Sequence, residues 1–402
     1  GKKDPYLIHK DLTKLAKEFE AIEPDFEAKI KGYLKQAKSV FHDTEHRIIK
    51  RNFDGLVQYA LAMLTVPLKH SPMLFRSMWK ELERHFTSQE VKVIFSLVAF
   101  FLGSTPFDTP AVYSLLNYTE LEHDGYWCVK GGMYQIAESI RILLEERGVK
   151  IHYNTEVVAP VENTTGDLLG FTDQNGKLWT ADLYVTNADA AFFRGKVLKR
   201  KKYTEEKLDK MKWTLAPFTI YLGVKGTIPD FYHHNYFLGN NFEAYADKIF
   251  KTSVSPDKPY YYVNVSSKTT PSCAPPNCEN IFILCPVPDL RFKNNWDDKE
   301  ALADTIVKDL SKRIDYDLIG NTITRTVLDP IDWRDKFNLY KGSGLGLAHG
   351  LDQVGALRPA NKDEKYANLF YVGASTIPGT GLPIVLISAK LVTERIEKMD
   401  KK

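Results

Sequence analysis

Cysteine is scarce in this chain, which has four cysteines among its 402 residues, at positions 128, 273, 278 and 285. Four cysteines do not make a disulfide framework in a protein of this length. Cys273 and Cys278 have no second cysteine pair and no nearby histidine, so their spacing is not that of a zinc site. His233 and His234 lie in an aromatic segment, and we interpret them as packing or surface residues. The sequence therefore predicts no metal site.

The chain also lacks a large excess of charge of either sign. The chain has 54 Lys and Arg against 51 Asp and Glu, and the formal net charge of +3 is too small to indicate a nucleic acid partner. A basic cluster at 194–202 is followed by Glu205, Glu206 and Asp209. We interpret the cluster as a solvated surface, with contact to anionic lipid head groups as the alternative. Hydrophobic residues make up 44% of the chain and charged residues 26%, as in a globular protein.

Long apolar runs are missing, and none reaches the length that spans a bilayer. Two shorter runs, at 56–68 and 93–102, would be apolar on almost every side if they were helices. Such helices are either buried in a core or docked shallowly into one leaflet of a membrane. Burial is the default interpretation for both runs, and shallow docking is the alternative.

The first hundred residues follow a helical pattern. Apolar residues recur at three- and four-residue spacing from Leu12 to Ala37, with an interruption at Pro24. Further helices are predicted at 54–65, 74–86 and 88–102.

The pattern changes after residue 126. It predicts an amphipathic helix from Tyr134 to Arg147 with an inward apolar face, a strand from Lys150 to Val158 and a hairpin turn at Asn175-Gly176. From about 191 to 340, β-rich runs alternate with an amphipathic helix at 300–314. The many aromatic residues there fit either the core of a sheet or the lining of a long apolar tunnel.

The most informative stretch lies near the C-terminus, where an apolar strand at 369–372 leads through a glycine-rich turn into a helix at about 384–396. Pro383 suits the first turn of that helix, because its missing N–H costs nothing there. Main-chain N–H groups and the positive end of the helix dipole would meet at this turn, which suits an anionic or electron-rich cofactor. Glycines at 379 and 381 would let a flat ring approach the main chain. An ordinary strand–turn–helix connection is the alternative.

The segment Val372-Gly-Ala-Ser-Thr-Ile-Pro-Gly-Thr-Gly-Leu-Pro383 closely resembles the C-terminal signature of bacterial and fungal-type phytoene desaturases, which closes over the flavin of FAD. Further motifs of that family occur in family order and spacing across nearly the whole chain. They are Gly103-Ser-Thr-Pro106, Gly131-Gly132, Thr186-Asn-Ala-Asp189, Ile283-Leu-Cys-Pro-Val-Pro288, Asp332-Trp-Arg-Asp335 and Arg358-Pro-Ala-Asn361. The resemblance implies FAD as the cofactor and Val157 over its adenine end. It implies that the residues at the flavin are Gly373, Ala374, Gly379, Gly381, Leu382 and Pro383.

One part of the family pattern is not found. The family opens with a strand, a Gly-x-Gly-x-x-Gly turn and a helix that bind the FAD pyrophosphate. The chain opens with Gly1-Lys-Lys-Asp-Pro5 instead, and two internal glycine clusters do not fit the motif. Gly342-Ser-Gly344-Leu-Gly346 has its third glycine one place early, and Gly379-Thr-Gly381 has Ile384 at the third position. We therefore expect this sequence to lack the pyrophosphate-binding unit, by truncation rather than by a natural loss.

Oxidation of a carbon–carbon single bond needs a hydride acceptor, which a flavin supplies and side chains cannot. No nucleophilic triad or metal-ligand cluster stands out as a rival chemistry. The candidates for acid–base or charge roles are Glu90, Lys92, Asp332, Arg334 and Asp335. The last three also fit a structural ion-pair cluster. The family's acidic partner has no clear match, because Ser88 stands at its approximate place.

The resemblance implies an α/β fold with α+β elements, namely an amine-oxidase-like flavoprotein fold with a discontinuous Rossmann-like FAD domain. It implies a helical membrane- and substrate-facing domain at 1–126 and a substrate-binding domain at 191–340. The FAD domain would consist of a middle part at 127–190 and a C-terminal part at 341–402.

The implied activity is FAD-dependent desaturation of phytoene or a similar carotene, by a protein bound peripherally to the cytoplasmic face of a membrane. Diapophytoene desaturase, carotenoid cis–trans isomerase and retinol saturase are alternatives with the same fold and cofactor. An isoprenoid-binding carrier of the Rab escort and GDP-dissociation-inhibitor type is the non-enzymatic alternative, and the flavin segment argues against it. The sequence gives no oligomeric state.

Overall fold

The computed structural model describes residues 5–229, 231–239, 241–249 and 260–400. The α-helices in these ranges are α1 (Leu12–Phe19), α2 (Phe26–Thr44), α3 (Leu56–Leu64), α4 (Ser71–Phe75), α5 (Met78–His85), α6 (Gln89–Ser96), α7 (Val98–Phe101), α8 (Leu115–Tyr118), α9 (Tyr134–Glu146), α10 (Glu205–Asp209), α11 (Phe242–Lys248), α12 (Lys299–Ile314), α13 (Leu318–Asn321), α14 (Pro330–Phe337) and α15 (Leu382–Asp400). The strands are β1 (Val157–Glu162), β2 (Leu168–Asp173), β3 (Leu178–Thr180), β4 (Tyr184–Thr186), β5 (Ala216–Lys225), β6 (His234–Phe237), β7 (Tyr261–Asn264), β8 (Cys278–Val287), β9 (Thr322–Leu328) and β10 (Leu369–Tyr371). None of the helices in the described ranges has both the length and the apolarity that a membrane crossing requires.

The described residues form two compact units. The first lies within Gly1–Tyr126, Glu156–Thr214 and Leu345–Lys402. The second lies within Trp127–Thr155 and Leu215–Gly344.

The helical core of the first unit forms where the sequence spacing predicts it. Helices α1, α2, α5, α6 and α7 bury one continuous apolar cluster, which includes Phe19, Phe26 and Phe95. Asp11 caps α1, because its Oδ1 accepts hydrogen bonds from the N–H groups of Thr13 at 2.9 Å and Lys14 at 3.1 Å.

A buried carboxylate joins these helices. Glu23, in the turn between α1 and α2, accepts hydrogen bonds from the N–H groups of Thr87 at 2.7 Å and Ser88 at 2.6 Å, and it pairs with Lys29. Burial alone would raise the pKa of Glu23, but Lys29 and these donors hold the pKa below its usual range. The turn between α1 and α2 is thereby tied to the turn between α5 and α6.

Two small sheets complete the first unit. Strands β1, β2 and β3 form an antiparallel meander, and β4 pairs in parallel with β10. The predicted strand from Lys150 to Val158 is wrong over most of its length, since β1 begins only at Val157. Asn154 has φ +51°, a left-handed conformation that interrupts an extended strand.

The second unit is built on a five-stranded antiparallel sheet in the order β6-β7-β8-β5-β9. Strand β8 alternates between half-buried and buried residues, so one face of the sheet lies in a core. Helix α12 contributes Leu302, Ile306 and Leu310 to that core.

Helix α9 forms as predicted in the second unit, but its expected inward face is wrong. None of its residues is buried. Ile140, Leu143 and Leu144 are exposed, because no described residue covers them.

Candidate functional site

The glycine-rich turn follows β10 in the first unit. Strand β10 pairs residue by residue with β4, and the N–H of Val372 continues the pairing by donating to Thr186 O at 2.9 Å. Gly373 has φ +95°, and a Cβ at this position would lie 2.0 Å from Asn187 Oδ1. Only glycine therefore fits where the turn crosses the 186–189 motif.

Arg358 holds the turn from its buried side. Its side chain is 2% exposed, and its guanidinium donates only to main-chain oxygens among the described residues. The acceptors are Thr376 O at 3.1 Å, Ala374 O at 2.7 Å, Leu347 O at 3.2 Å, Ala348 O at 3.3 Å and Gln353 O at 3.3 Å. Burial lowers the pKa of Arg358 to about 10, so the group stays protonated at neutral pH. The turn therefore lies over a buried positive charge.

His349 fixes the second half of the turn. Its Nε2 accepts a hydrogen bond from Thr380 N at 3.1 Å, and a Cβ on Gly379 would lie 2.6 Å from that nitrogen. Burial and the charge of Arg358 lower the pKa of His349 to about 3, so the imidazole is neutral. Its proton must then lie on Nδ1, a buried atom that has no hydrogen-bond partner among the described residues. Sequence reasoning missed His349, whose one signal is its place between Gly346 and Gly350 in a motif-rich region.

The end of the turn is open. Gly381 has φ +112°, and among the described residues an added Cβ would meet only Ile384, at an ordinary contact distance of 3.5 Å. Helix α15 begins at Leu382, which is 47% exposed. The first turn of a helix has N–H groups without intrahelical partners and a partial positive charge. A flat, electron-rich ring therefore has access to main chain and to a positive field at this place.

Ser375 and Asp189 link the turn to the family motif at 186–189. Ser375 Oγ donates to Asp189 Oδ2 at 3.1 Å, and Asp189 Oδ1 accepts from the N–H groups of Ala191 and Phe192 at 3.0 and 3.1 Å. Desolvation raises the pKa of Asp189. Val157 is the first residue of β1 and is partly exposed.

The residues present fit the flavin that the resemblance implies. The open main chain at Gly381, the start of α15 and the buried charge of Arg358 all favour a planar ring that carries negative charge. The residues predicted at the flavin occupy one continuous turn, whereas Glu90 and Lys92 lie elsewhere in the first unit.

Glu90 and Lys92 are surface residues of the helical region. Glu90 is exposed and accepts a hydrogen bond from Ser88 Oγ at 3.0 Å, next to the N-cap of α6. Lys92 Nζ lies 5.6 Å from the ring centroid of Trp79. Both contacts lie within the helical region, as expected for surface groups.

Asp332, Arg334 and Asp335 lie in the second unit, on α14. Asp332 is the N3 residue of a capping box whose N-cap is Asp329. Its Oδ2 accepts a hydrogen bond from Lys299 Nζ at 2.9 Å. Arg334 makes a bidentate pair with its exposed neighbour Asp335, at 2.6 and 2.9 Å. These contacts explain the motif as helix capping and ion pairing.

A line of aromatic rings crosses the open face of the sheet in the second unit. Tyr221 on β5 lies 5.2 Å from Phe282 on β8, Phe282 lies 6.4 Å from Tyr262 on β7, and Tyr262 lies 5.2 Å from Tyr236 on β6. We call these four residues the aromatic ladder. They are partly exposed, whereas Tyr261 on the opposite face is buried in the core. The aromatic residues of this region thus divide between the core and an open surface.

Comparisons with known proteins identify the family of this chain. Residues 7–396 match the family described as flavin containing amine oxidoreductase. The zeta-carotene-forming phytoene desaturase of Myxococcus xanthus is 34% identical over 96% of this chain and 74% of its own length. The phytoene desaturase of Fusarium fujikuroi is 30% identical over 99% of this chain and 73% of its own length. A putrescine oxidase variant redesigned in its cofactor binding superposes with a TM-score of 0.55 at 11% identity, over 93% of this chain and 77% of its own.

The predicted family, flavoprotein fold, enzyme class and cofactor are confirmed by these matches. The structural neighbour supports the fold alone, and the two desaturases support the narrower group. The chain therefore belongs to the flavin containing amine oxidoreductase family, as an FAD-dependent oxidoreductase of the phytoene desaturase type.

Proposed function

We propose that this protein introduces double bonds into phytoene or a carotene of similar build. The observation that carries the proposal is the turn at 373–383. The turn is accessible at Gly381, and the buried Arg358 holds its main chain through hydrogen bonds. The names of the two desaturases similar to this chain supply the substrate class.

We assign the flavin contacts to the exposed side of this turn. The proposed residues are Gly373, Ala374, Gly379, Gly381, Leu382 and Pro383, with Val157 at the adenine end. Arg358 and His349 are positioning residues, because each holds main-chain atoms of the turn. When bound, FAD supplies the acceptor for a hydride removed from the substrate.

Each new double bond requires the substrate to lose a hydride and a neighbouring proton. The buried charge of Arg358 favours negative charge above the turn, and so favours hydride removal. The proton needs a base or water. Glu90, Lys92, Asp332 and Arg334 remain the weak candidates for charge roles, and their contacts favour structural roles.

We propose the aromatic ladder as the surface that binds the polyene. Aromatic faces pack well against a flat conjugated chain, and the ladder presents four rings across neighbouring strands. All four rings lie within the proposed substrate-binding domain at 191–340. The proposed division also has FAD-binding parts at 127–190 and 341–402 and a helical domain at 1–126.

We also propose that the protein binds peripherally to the cytoplasmic face of a membrane, where its insoluble substrate would reside. Leu56, Val57, Leu61, Leu64 and Leu68 leave their side chains exposed on and just after α3. We call these five residues the α3 surface. An apolar surface of this kind can dock into one leaflet without crossing it.

Expression of the full-length protein in cells that accumulate phytoene tests the activity. Coloured products with longer conjugation, separated by chromatography, are expected. A change of cis–trans geometry without new double bonds would reassign the protein as an isomerase. Phytoene bound but unaltered would favour an isoprenoid carrier.

The flavin placement has its own test, which does not depend on activity. Gly381→Val in the full-length protein should abolish FAD retention, because the branched side chain would occupy the open space and strain a φ of +112°. Gly32→Val is the matched control, since no described residue has an atom within 4 Å of a Cβ at that helix position, apart from the helix itself and the chain neighbours. Flavin absorbance after purification gives the readout. A Gly381→Val protein with stoichiometric FAD would refute the placement.

A further inference from the structure

Three metal-ligating side chains meet in the second unit at the start of β6. Cys128 Sγ lies 3.2 Å from His233 Nε2, and the His233 and His234 ring centroids are 4.4 Å apart. One ligand atom from each of the three residues lies within 4.8 Å of the other two. Cys128 is 105 residues from His233, so a search of sequence spacing cannot find the group.

Each histidine is oriented through a ring nitrogen. His233 Nδ1 lies 2.6 Å from Thr269 Oγ1, and His234 Nδ1 lies 2.6 Å from the hydroxyl of Tyr262. The Tyr262 hydroxyl also accepts a hydrogen bond from Asn264 Nδ2 at 3.1 Å. Metal-binding histidines are commonly held in this way, with one nitrogen on a polar neighbour and the other turned to the metal.

We propose that Cys128, His233 and His234 form a binding site for a divalent ion of borderline softness, for which zinc is the best fit. One thiolate and two imidazoles are among the donor sets that zinc prefers. Zinc bonds of about 2.0–2.3 Å at tetrahedral angles separate ligand atoms by about 3.5 Å, so only a small closure of the three side chains is needed. Cys128 and His234 are exposed, which gives the ion a path from solvent and leaves a coordination position for water.

The site is separate from the proposed flavin turn in its residues and in its test. It adjoins the aromatic ladder, because His234 stacks on Tyr262 with ring centroids 5.9 Å apart. A bound ion would fix the start of β6, the edge strand of the sheet.

Cobalt and zinc titrations of the full-length protein, purified without a histidine tag and stripped with a chelator, test the proposal. Cobalt should give thiolate charge-transfer absorption that saturates at a single ion per chain, and zinc should displace it. Zinc should also protect Cys128 from alkylation, as read by mass spectrometry of its peptide, while Cys273 reacts at an unchanged rate.

Variants separate ligands from bystanders. Cys128→Ser and His234→Ala should each weaken cobalt binding by about 100-fold or more, since loss of an orienting partner alone costs about 10- to 100-fold. Thr269→Val should fall in that smaller range, with rescue by Thr269→Ser. Cys273→Ser is the matched control and should bind as the unaltered protein does. Circular dichroism checks that each variant is folded. The absence of both absorption and protection, or unchanged binding by Cys128→Ser, would overturn the proposal.

Discussion

The two apolar runs of the helical region have similar sequences and opposite surroundings. In the run at 93–102, Phe95, Val98 and Ala99 are buried in the core that α1, α2 and α5 share. In the run at 56–68, by contrast, Leu64 is 78% exposed and Leu68 is 82% exposed. Hydropathy gave both runs the same two interpretations. The structure buries much of the run at 93–102 and leaves the leucines of the run at 56–68 exposed.

The difference lies in what else each helix contacts. Helix α6 begins at a Ser88 cap beside the buried Glu23, so it enters the core at a fixed position. Helix α3 is attached through Tyr59, whose ring lies 5.0 Å from that of Phe53 and fills the space that a Cβ on Gly355 would need. The leucines of α3 remain exposed. Hydropathy thus shows that a helix is apolar. The residues that pack around the helix determine whether its apolar side chains are buried.

The largest expected effect tests the buried side of this comparison. Phe95→Ala should destabilise the protein by about 3–5 kcal/mol, because it removes a large side chain from a packed core. Leu64→Ala, at a side chain of the run at 56–68 that is 78% exposed, should change stability by no more than about 0.5 kcal/mol. Urea denaturation followed by circular dichroism measures both. Equal losses would contradict the contrast between the two runs.

Acid should weaken the same helical region through Glu81 on α5. Arg76 and His85 lower the pKa of this buried carboxyl to about 2, against a desolvation that would raise it. Because the folded pKa lies below the usual 4.5, the stabilisation is present above about pH 4.5 and is lost as pH falls toward 2. This group should contribute up to about 3 kcal/mol of that loss.

Glu81→Gln separates this contribution from those of other carboxylates. The variant should be less stable at pH 6, and its urea midpoint should fall less steeply between pH 5 and 3 than that of the unaltered protein. Glu243→Gln, at an exposed position on α11, is the control. Parallel pH profiles for Glu81→Gln and the unaltered protein would show that Glu81 is not the titrating group.

Local patterns predicted much of the fold. The apolar spacing that predicted helices between Leu12 and Ala37 matches the positions buried in α1 and α2, and the Asn175-Gly176 signal lies between β2 and β3 as expected. The strand expected from Lys150 is wrong because strand propensity does not report a left-handed residue such as Asn154. The predicted burial of one face of α9 is wrong for another reason. An amphipathic pattern identifies an apolar face and does not identify the residues that would cover it.

The candidate site could be predicted only where its residues lie close together in the sequence. The glycines of the 373–383 turn lie in one segment, so their role could be inferred from neighbouring residues. His349 and Arg358 reach the turn from a different segment. The sequence marks Arg358 only as part of the Arg358-Pro-Ala-Asn361 motif, which does not indicate its five hydrogen bonds to main-chain oxygens. The Cys128 group was missed for the same physical reason, because folding alone brings its members together.

The exposed side of the comparison has a test in lipid. If the α3 surface docks into a leaflet, the full-length protein should sediment with liposomes and be released by detergent. Leu61→Asp with Leu64→Asp should weaken liposome binding by at least about 10-fold per leucine, since each buried leucine contributes about 1.5–3 kcal/mol. Ile319→Asp, an equivalent change at an exposed site on α13, should bind as before. Failure of the unaltered protein to bind any lipid composition would remove this role from α3.

The smallest expected effects come from two glycines, one in crowded surroundings and one on an exposed helix face. Gly103 follows the buried run directly, has φ +68°, and a Cβ there would lie 2.4 Å from Thr214 Cβ. Gly103→Ala should therefore destabilise the protein by about 1–2 kcal/mol. Gly32 lies on the open face of α2 with nothing within 4 Å of an added Cβ. Gly32→Ala should stabilise by about 0.5–1 kcal/mol, because alanine loses less backbone freedom in a helix. Thermal unfolding should thus give shifts of opposite sign, and a loss of stability in Gly32→Ala would show that this face of α2 is covered in solution.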